Sequence, residues 1–360
     1  MPSFGIIQLN EVAEYEYLTE LAKQAHEFGF ECYRFTPKNI DPISQIVTGY
    51  KFIHSEKEWV QVQFDIPTIL YDRCFYSNDK EAKEYSPIIH WLKSRKDLIF
   101  LSHGFPNKWD VYQCLKLSPS LSPYLPETKK VLSFDDIRPY FLNNESFLMK
   151  PLFSSQGRGI YVIEPSKDSV SIKTVKQGNL IHKILSFHQA KKWIIQLIKK
   201  YSYLIQPYLS LNNHDSRPFD IRVFLQKDEN GNWIERGKCV RIGPIGSFLS
   251  NISAGGEINS FEDGLSKIRQ EYRRFIEQEI NEIVRSIPTI VEEKYKQLFE
   301  LGIDIGIDEK GAIWLLEVNS KPGRKSILKT APDLKNTLFQ APFLYAKYLL
   351  NNKIVEKVRE

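Results

Sequence analysis

Asp304, Glu317 and Asn319 are the side chains whose types and spacing point most directly to chemistry in this chain. They interrupt two short apolar runs, 303–307 and 312–318, separated by Asp308-Glu309-Lys310-Gly311, a strong hairpin turn. Apolar residues on both faces predict strands buried on both sides, where an unpaired carboxylate is costly and calls for a partner or a metal. Glu317 and Asn319 are two apart and share a strand face. If the hairpin folds back in register, Asp304 lies beside Glu317 on the neighbouring strand. Three hard oxygen donors on one patch of sheet suit Mg²⁺, which takes one or two carboxylates together with substrate phosphates. The alternative is a plain hairpin with solvent-facing acids.

Other candidates precede this hairpin. Residues 154–159, Ser154-Ser155-Gln156-Gly157-Arg158-Gly159, form a small-residue loop expected between two strands rather than between strand and helix. This is not a P-loop, but such a loop can fold over phosphates with its backbone N–H groups, and an ordinary glycine hairpin fits it as well. Lys150 lies four residues earlier and would reach a phosphate as a point charge. Asp220-Ile221-Arg222 sits in an apolar strand where Asp220 and Arg222 share a face, so an ion pair between them is one of two even readings, the other being an anion-binding role for Arg222. Arg222 and Arg241 are candidates for an anion clamp, since guanidinium forks match phosphate and carboxylate. Asn251 precedes Ala254-Gly255-Gly256, a second glycine segment. Gln206-Pro207-Tyr208-Leu209 ends a strand and reads as a hinge. No nucleophile–base order is legible, His103-Gly104 reads as a capped loop, and the kinase H-R-D and D-F-G motifs are absent.

These residues need a scaffold. Residues 4–9, 31–35, 66–71 and 98–101 read as strands. Helices are expected through Leu18, Leu21, Ala22, Ala25 and Phe28, with Gly29 as C-cap, and around 88–92. That alternation predicts a small parallel α/β unit without a dinucleotide fingerprint. Asp72-Arg73 ends one of its strands and is expected as a surface ion pair or a substrate contact. A serine- and proline-rich stretch, 117–126, reads as a surface connection. Beyond it come strands at 147–151, 160–163 and 203–208 and a helix at 187–200. Strands at 219–226 and 238–242 follow around Asn230-Gly231. A long amphipathic helix is expected over 267–286 through Ile268, Tyr272, Phe275, Ile276, Ile280 and Ile283. Pro288 should break it before another helix ending at Gly302, and the tail 334–350 reads as helical.

With 360 residues the chain exceeds one typical core. Its formal charge of +5 is spread along the sequence, which fits an anionic ligand such as a nucleotide better than a nucleic-acid surface. Cys32, Cys74, Cys114 and Cys239 are far apart and are expected as reduced thiols of a cytoplasmic protein. The start lacks a secretory pattern, and no apolar run is long enough to span a membrane.

Taken in order, these segments resemble the ATP-grasp superfamily from about residue 105 to 325. The likeness rests on Asn107-Lys108-Trp109, Lys150-Pro151, Ser155-Gln156-Gly157-Arg158-Gly159, Gln206-Pro207-Tyr208, Asp220-Ile221-Arg222, Ser250-Asn251, Asp304 and Glu317-Val318-Asn319. Pro218-Phe219-Asp220-Ile221-Arg222-Val223 and Leu315-Leu316-Glu317-Val318-Asn319-Ser320-Lys321-Pro322 are most similar to the YheC/YheD family of endospore coat-associated proteins. The resemblance implies a mixed α/β and α+β architecture: two α+β lobes sandwiching ATP behind a small parallel α/β domain. Its expected divisions are 1–105, a small lobe at 106–205 and a C-terminal lobe at 206–360. It implies an enzyme joining a carboxylate to an amine through an acylphosphate, with ADP and phosphate released and two Mg²⁺ ions, or Mn²⁺, as cofactors. By position, Lys108 and Lys150 match the phosphate-binding lysines, and Ser154, Ser155, Gln156, Gly157 and Gly159 the phosphate lid. Gln206, Pro207, Tyr208 and Leu209 match the adenine hinge, with Gln206 standing where many members have an acid. Asp304, Glu317 and Asn319 match the metal ligands. Arg222, Arg241 and Asn251 match the residues that hold the transferred phosphoryl group. The expected partners are ATP and carboxylate and amine substrates, including peptides or proteins, in the cytoplasm or at the spore coat, with no membrane or nucleic acid. A nucleotide-binding coat protein without turnover and an ATP-grasp phosphotransferase remain open.

Overall fold

The computed structural model describes residues 1–75, 80–153, 157–250, 255–266 and 270–359. Three sheets organise them. The first is built from β1 (Ser3–Ile7), β2 (Glu31–Phe35), β3 (Ile46–Ile53), β4 (Glu58–Asp65), β5 (Ile69–Asp72) and β6 (Ile99–Phe100), in the order β4-β3-β2-β1-β5-β6. The helices α1 (Tyr15–Ala25) and α2 (Lys80–Ser94) cross over between parallel strands. Gly29, at φ 75°, closes the end of the first crossover as expected. The hairpin β3–β4, unassigned in the sequence reading, adds two antiparallel strands at one edge.

Helix α3 (Lys108–Lys116) leads into the second sheet, formed by β7 (Lys129–Val131), β8 (Phe147–Pro151), β9 (Tyr161–Pro165), β10 (Val170–Lys176), β11 (Asn179–Leu185) and β12 (Tyr203–Pro207). Its order is β11-β10-β9-β8-β12-β7. One face packs on α4 (Arg138–Leu142) and α5 (Phe187–Lys200) through Phe147, Met149, Ile163, Ala190 and Ile194. α5 begins with a capping box in which Ser186 and Gln189 satisfy each other's backbone N–H groups.

The third sheet runs β15-β14-β13-β16-β17. Its strands are β13 (Phe219–Lys227), β14 (Trp233–Ile242), β15 (Glu257–Ser260), β16 (Glu300–Ile307) and β17 (Ile313–Asn319), with α6 (Phe261–Gly264) after β15. Its two faces differ. Ile221, Val223, Val240, Ile303 and Ile305 point to α7 (Gln270–Tyr295), whose Ile276, Ile280, Ile283 and Ile287 complete that core. On the other face Phe224, Cys239 and Phe299 join a core shared with β1, α1 and the C-terminal helix α9 (Lys335–Arg359). A short helix, α8 (Lys325–Thr330), precedes α9.

Three expectations for this region are corrected. Pro288 does not end the helix: α7 runs through it, because Ile287, Pro288 and Val291 are buried and their packing outweighs the missing N–H. The apolar stripe starts at Ile276, while Tyr272 and Phe275 are exposed and Ile268 lies outside the described residues. Gly302 is no helix cap either. It sits inside β16, where a Cβ would lie 2.6 Å from Pro322 Cβ and 3.2 Å from Arg222 Nη1, so the absent side chain makes room first for Pro322 and then for that guanidinium. The four cysteines are buried and unbridged.

Candidate active site

The hairpin at β16–β17 forms in the expected register: Asp304 faces Glu317, and Gly302 faces Asn319. A bulge after Asp304 adds one residue on β17, which keeps Glu317 and Asn319 on the polar face while Leu315 and Val318 point into the core. On the neighbouring strands Arg222 lies opposite Asp304, and Asp220 opposite Arg241. One face of the sheet thus carries Arg241, Asp220, Arg222, Asp304, Glu317 and Asn319 in a continuous row.

Their contacts are close. Arg222 donates to Asp304 through Nε (2.5 Å) and Nη2 (3.0 Å). Arg241 grips Asp220 with Nε at 2.6 Å and Nη2 at 2.7 Å, and the same Nη2 lies 3.1 Å from Asp304. Ser250 also donates to Asp220. The pair between Asp220 and Arg222 does not form. Each residue finds its partner directly across the ladder, where Cβ atoms are closer than they are two residues along one strand. Both arginines nevertheless meet, at Asp304. Burial pushes the Asp304 carboxyl up, but the two guanidiniums outweigh it and hold the group below the usual carboxylate range.

Glu317 is engaged by Lys108, at 3.2 Å. Lys108 opens α3, whose N-cap Asn107 accepts from the Asp110 N–H, so the helix start fixes where the lysine points. Lys150 projects from β8 near the same group but makes no hydrogen bond or ion pair among the described residues. Burial lowers its ammonium to about 8, against the opposing pull of Glu317 and with a further push from Lys108. Four cations therefore meet three carboxylates here, an electropositive balance suited to polyphosphate.

Between α3, β12 and β17 lies a slot walled by Val111, Leu115, Leu125, Leu204, Leu315 and Val318. Lys108, Lys150 and Glu317 stand in the same lining. Gln206 lies in it too, its side-chain amide donating to Thr128 Oγ1 at 2.7 Å. The Tyr208 N–H is taken by Ser146 O, at 3.0 Å, whereas the Leu209 N–H has no acceptor among the described residues. Pro207 closes β12. Gly157 and Gly159 both have φ 73°, and a Cβ on Gly159 would press within 2.9 Å of Pro151 Cγ. Ser154, Ser155, Gln156 and Asn251 lie outside the described residues.

Several residues of this region escaped sequence reasoning. Thr128, which fixes Gln206, and Ser250, which fixes Asp220, are polar partners that become visible once their strands are placed. Asp72 and Arg73 are neither surface ion pairs nor exposed substrate contacts; both are buried. Asp72 is bridged by Lys93 and Lys321 at 2.9 and 2.8 Å, directly beyond the end of β17. His103 gives its carbonyl to Lys93 and stacks on Phe100, as a structural loop residue.

The donor set tests well for Mg²⁺. Asp304, Glu317 and Asn319 offer hard oxygens on one face, and the Asn319 amide makes no hydrogen bond among the described residues. Both carboxylates are balanced by cations that polyphosphate would attract in turn. No cluster of three or more His, Cys, Asp or Glu suited to a metal occurs among the described residues, so any ion here relies on two carboxylates, an amide and its own ligands.

A lysine held near 8 makes a pH prediction. Nucleotide affinity should fall as pH rises from 7 to 9, approaching about tenfold per unit above the lysine's own value, and Lys150→Arg should flatten the profile. Isothermal titration across that range checks it; a flat wild-type profile would refute the assignment. Because the folded value lies below the unfolded one, the unfolded chain binds more protons in this window. The Lys150 contribution to stability therefore rises with pH between about 8 and the ordinary lysine value.

Three sheets with a charged row and an apolar slot between the second and third define an ATP-grasp fold. The chain aligns over 97% of its length with 98% of D-alanyl-alanine synthetase A from Vibrio cholerae O1 biovar eltor, at a TM-score of 0.56 and 14% identity. It aligns over 96% with 99% of the ATP-grasp ligase PsnB, solved with a minimal precursor, at a TM-score of 0.53 and 13% identity. The chain belongs to the YheC/D-like ATP-grasp family, whose model matches residues 97–349. It is 34% identical over 357 residues to endospore coat-associated protein YheC of Bacillus subtilis (strain 168), covering 98% of this chain and 97% of that protein. No helix among the described residues is long and apolar enough to cross a membrane.

Proposed function

We propose that this protein is an ATP-dependent carboxylate–amine ligase that activates a peptide, protein or amino-acid carboxylate as an acylphosphate. The observation that carries the reading is the convergence of Arg222, Arg241, Lys108 and Lys150 around Asp304 and Glu317. A carboxylate and ATP repel each other, so cations must neutralise the phosphoryl group in flight. Arg222 and Arg241 are the groups that clamp it, and Lys108 and Lys150 steady the remaining phosphates. Asp304, Glu317 and Asn319 would hold Mg²⁺, which supplies charge neutralisation and Lewis acidity at the phosphates. The apolar slot takes the adenine, with the Leu209 N–H available to its edge.

In the reaction a substrate carboxylate oxygen attacks the γ-phosphorus, and the bond to the β–γ bridging oxygen breaks to release ADP. The amine nitrogen then attacks the acyl carbon, phosphate departs with the carbon–oxygen bonding pair, and the nitrogen gives up its proton. No protein nucleophile is needed, which agrees with the lack of a triad. Residues 1–105 serve as the substrate-side domain, 106–205 as the lid lobe and 206–360 as the catalytic lobe. The likeness to a coat-associated protein supports a product connected with the spore coat.

Two measurements test this. MgATP should raise the melting temperature of the wild type by several degrees and that of Glu317→Ala by far less. No shift in either would remove nucleotide binding. Incubation with ATP and a panel of amino acids and peptides should yield ADP and phosphate in step with a condensed product. AMP formation would rule out the acylphosphate route, and a phosphorylated end product would make the protein a phosphotransferase.

A further inference from the structure

Strand β11 is the outer strand of the second sheet. It pairs with β10 over seven residue pairs in unbroken register, and no strand lies on its other edge among the described residues. Natural edge strands of this length are usually blunted by lysines, a proline, a bulge or a cover, because their unpaired N–H and C=O groups template further pairing. Among the described residues β11 carries Lys183 as its one such device, and its backbone edge is otherwise open. Leu180 and Ile184 are 44% and 67% exposed.

The exposed face is also the face of the cleft. Leu180, His182 and Ile184 alternate on β11, and His182 meets Ser171 at 3.0 Å. Ser171 and Lys173 in turn hold Glu164 on β9, whose register with β8 puts it on the same side as Lys150. The outer edge thus belongs to one continuous surface with the phosphate-binding lysine.

Charge sets the partner. From Ser169 to His214 the chain contains seven lysines and no aspartate, glutamate or arginine. Lys176, Lys183, Lys191, Lys192, Lys199 and Lys200 are exposed on β10, β11 and α5. Aliphatic side chains beside a vacant ladder recognise an extended polypeptide, with main-chain pairing for affinity and alternate side chains for selection. A nucleic acid would instead call for stacking rings and arginine forks.

We propose that the outer edge of β11 docks an extended acidic segment of a polypeptide partner, which adds as a further strand to the second sheet. This names the partner class for the ligase reading and rests on that reading for its purpose, while the docking is measured without turnover. The probe is a fluorescein-labelled heptapeptide alternating valine and glutamate, titrated with the full chain by fluorescence anisotropy. Saturable binding is expected, weakened at least about tenfold by added salt and by Lys176→Glu combined with Lys183→Glu. N-methylation of alternate peptide amides should abolish it. The double variant should keep the wild-type MgATP thermal shift, which separates lost docking from a lost nucleotide site. Absence of binding to the wild type would overturn the proposal. So would equal binding of the glutamine-for-glutamate or N-methylated peptide, or tighter binding of a single-stranded oligonucleotide of equal charge.

Discussion

Asp304→Asn should abolish ATP turnover, lowering kcat/KM by about a thousandfold or more, which corresponds to roughly 4 kcal/mol of lost transition-state stabilisation. It should also destabilise the fold. The Asp304 carboxylate is shared by Arg222 and Arg241, and an amide of the same shape cannot balance either charge. Arg241 keeps Asp220, but Arg222 is left buried without an acid. Breaking a buried pair by removing one partner typically costs about 3–5 kcal/mol. Truncation to alanine is unnecessary, since asparagine preserves volume and isolates the charge. Acid titration gives an independent signature. The Asp304 pKa is held below its unfolded value, so its stabilising contribution is full above the ordinary carboxylate range and is lost as pH falls through the lowered value. The wild type should therefore lose that contribution on acidification, and the variant should show a correspondingly shallower dependence. Urea denaturation at several pH values reads both effects, and equal stability of the two proteins at neutral pH would refute the shared-carboxylate account.

Which parts of this site are legible in the sequence follows from how local their causes are. The β16–β17 hairpin is legible because Asp308 to Gly311 encode their own turn, closed by the Gly311 N–H to Asp308 O at 2.9 Å with Gly311 at φ 83°. Lys108 and Lys150 are legible as positions in a family pattern. The ion-pair partners are not, because they depend on how β13 registers with β14, across a bulge after Phe224, and with β16, far along the chain. Asp220 and Arg222 look like partners along one strand and are in fact each taken by the strand alongside. The β10–β11 hairpin is hidden for a different reason: its exposed face mixes Leu180 and Ile184 with His182, Ser171 and Lys173, which blurs the alternation that marks a strand. Pro288 misleads because propensity is a local quantity, while the fate of α7 is decided by the sheet it covers. Asp72 and Arg73 read as surface charges because nothing in their own neighbourhood announces that β17 and its following loop will bury them.

The second large effect lies away from the phosphates. Glu300→Gln should destabilise the protein by about 3–5 kcal/mol while leaving every nucleotide contact intact. Glu300 is 1% exposed and sits on β16, facing the first sheet. It accepts from Arg324 Nη2 at 2.5 Å and from the Tyr71 hydroxyl, with Arg73 Nη1 3.8 Å away. Arg324 also donates to Tyr71 at 2.7 Å and lies 4.2 Å from the Tyr17 ring centre. The network therefore joins the β1–β5 side of the first sheet to the strand that carries Asp304, four residues further on. Arg73 retains Glu14 in a two-pronged pair, so the charge stranded by the substitution is chiefly that of Arg324. A double-mutant cycle with Arg324→Met separates the pair from its surroundings: the double variant should recover much of the loss, because an uncharged, well-packed pair avoids leaving a guanidinium alone. Additive losses in urea denaturation would mean that Glu300 acts through packing rather than through Arg324. A coupling of the expected sign would establish that Glu300 and Arg324 act as a charged pair, at the junction where Tyr71 of β5 meets β16.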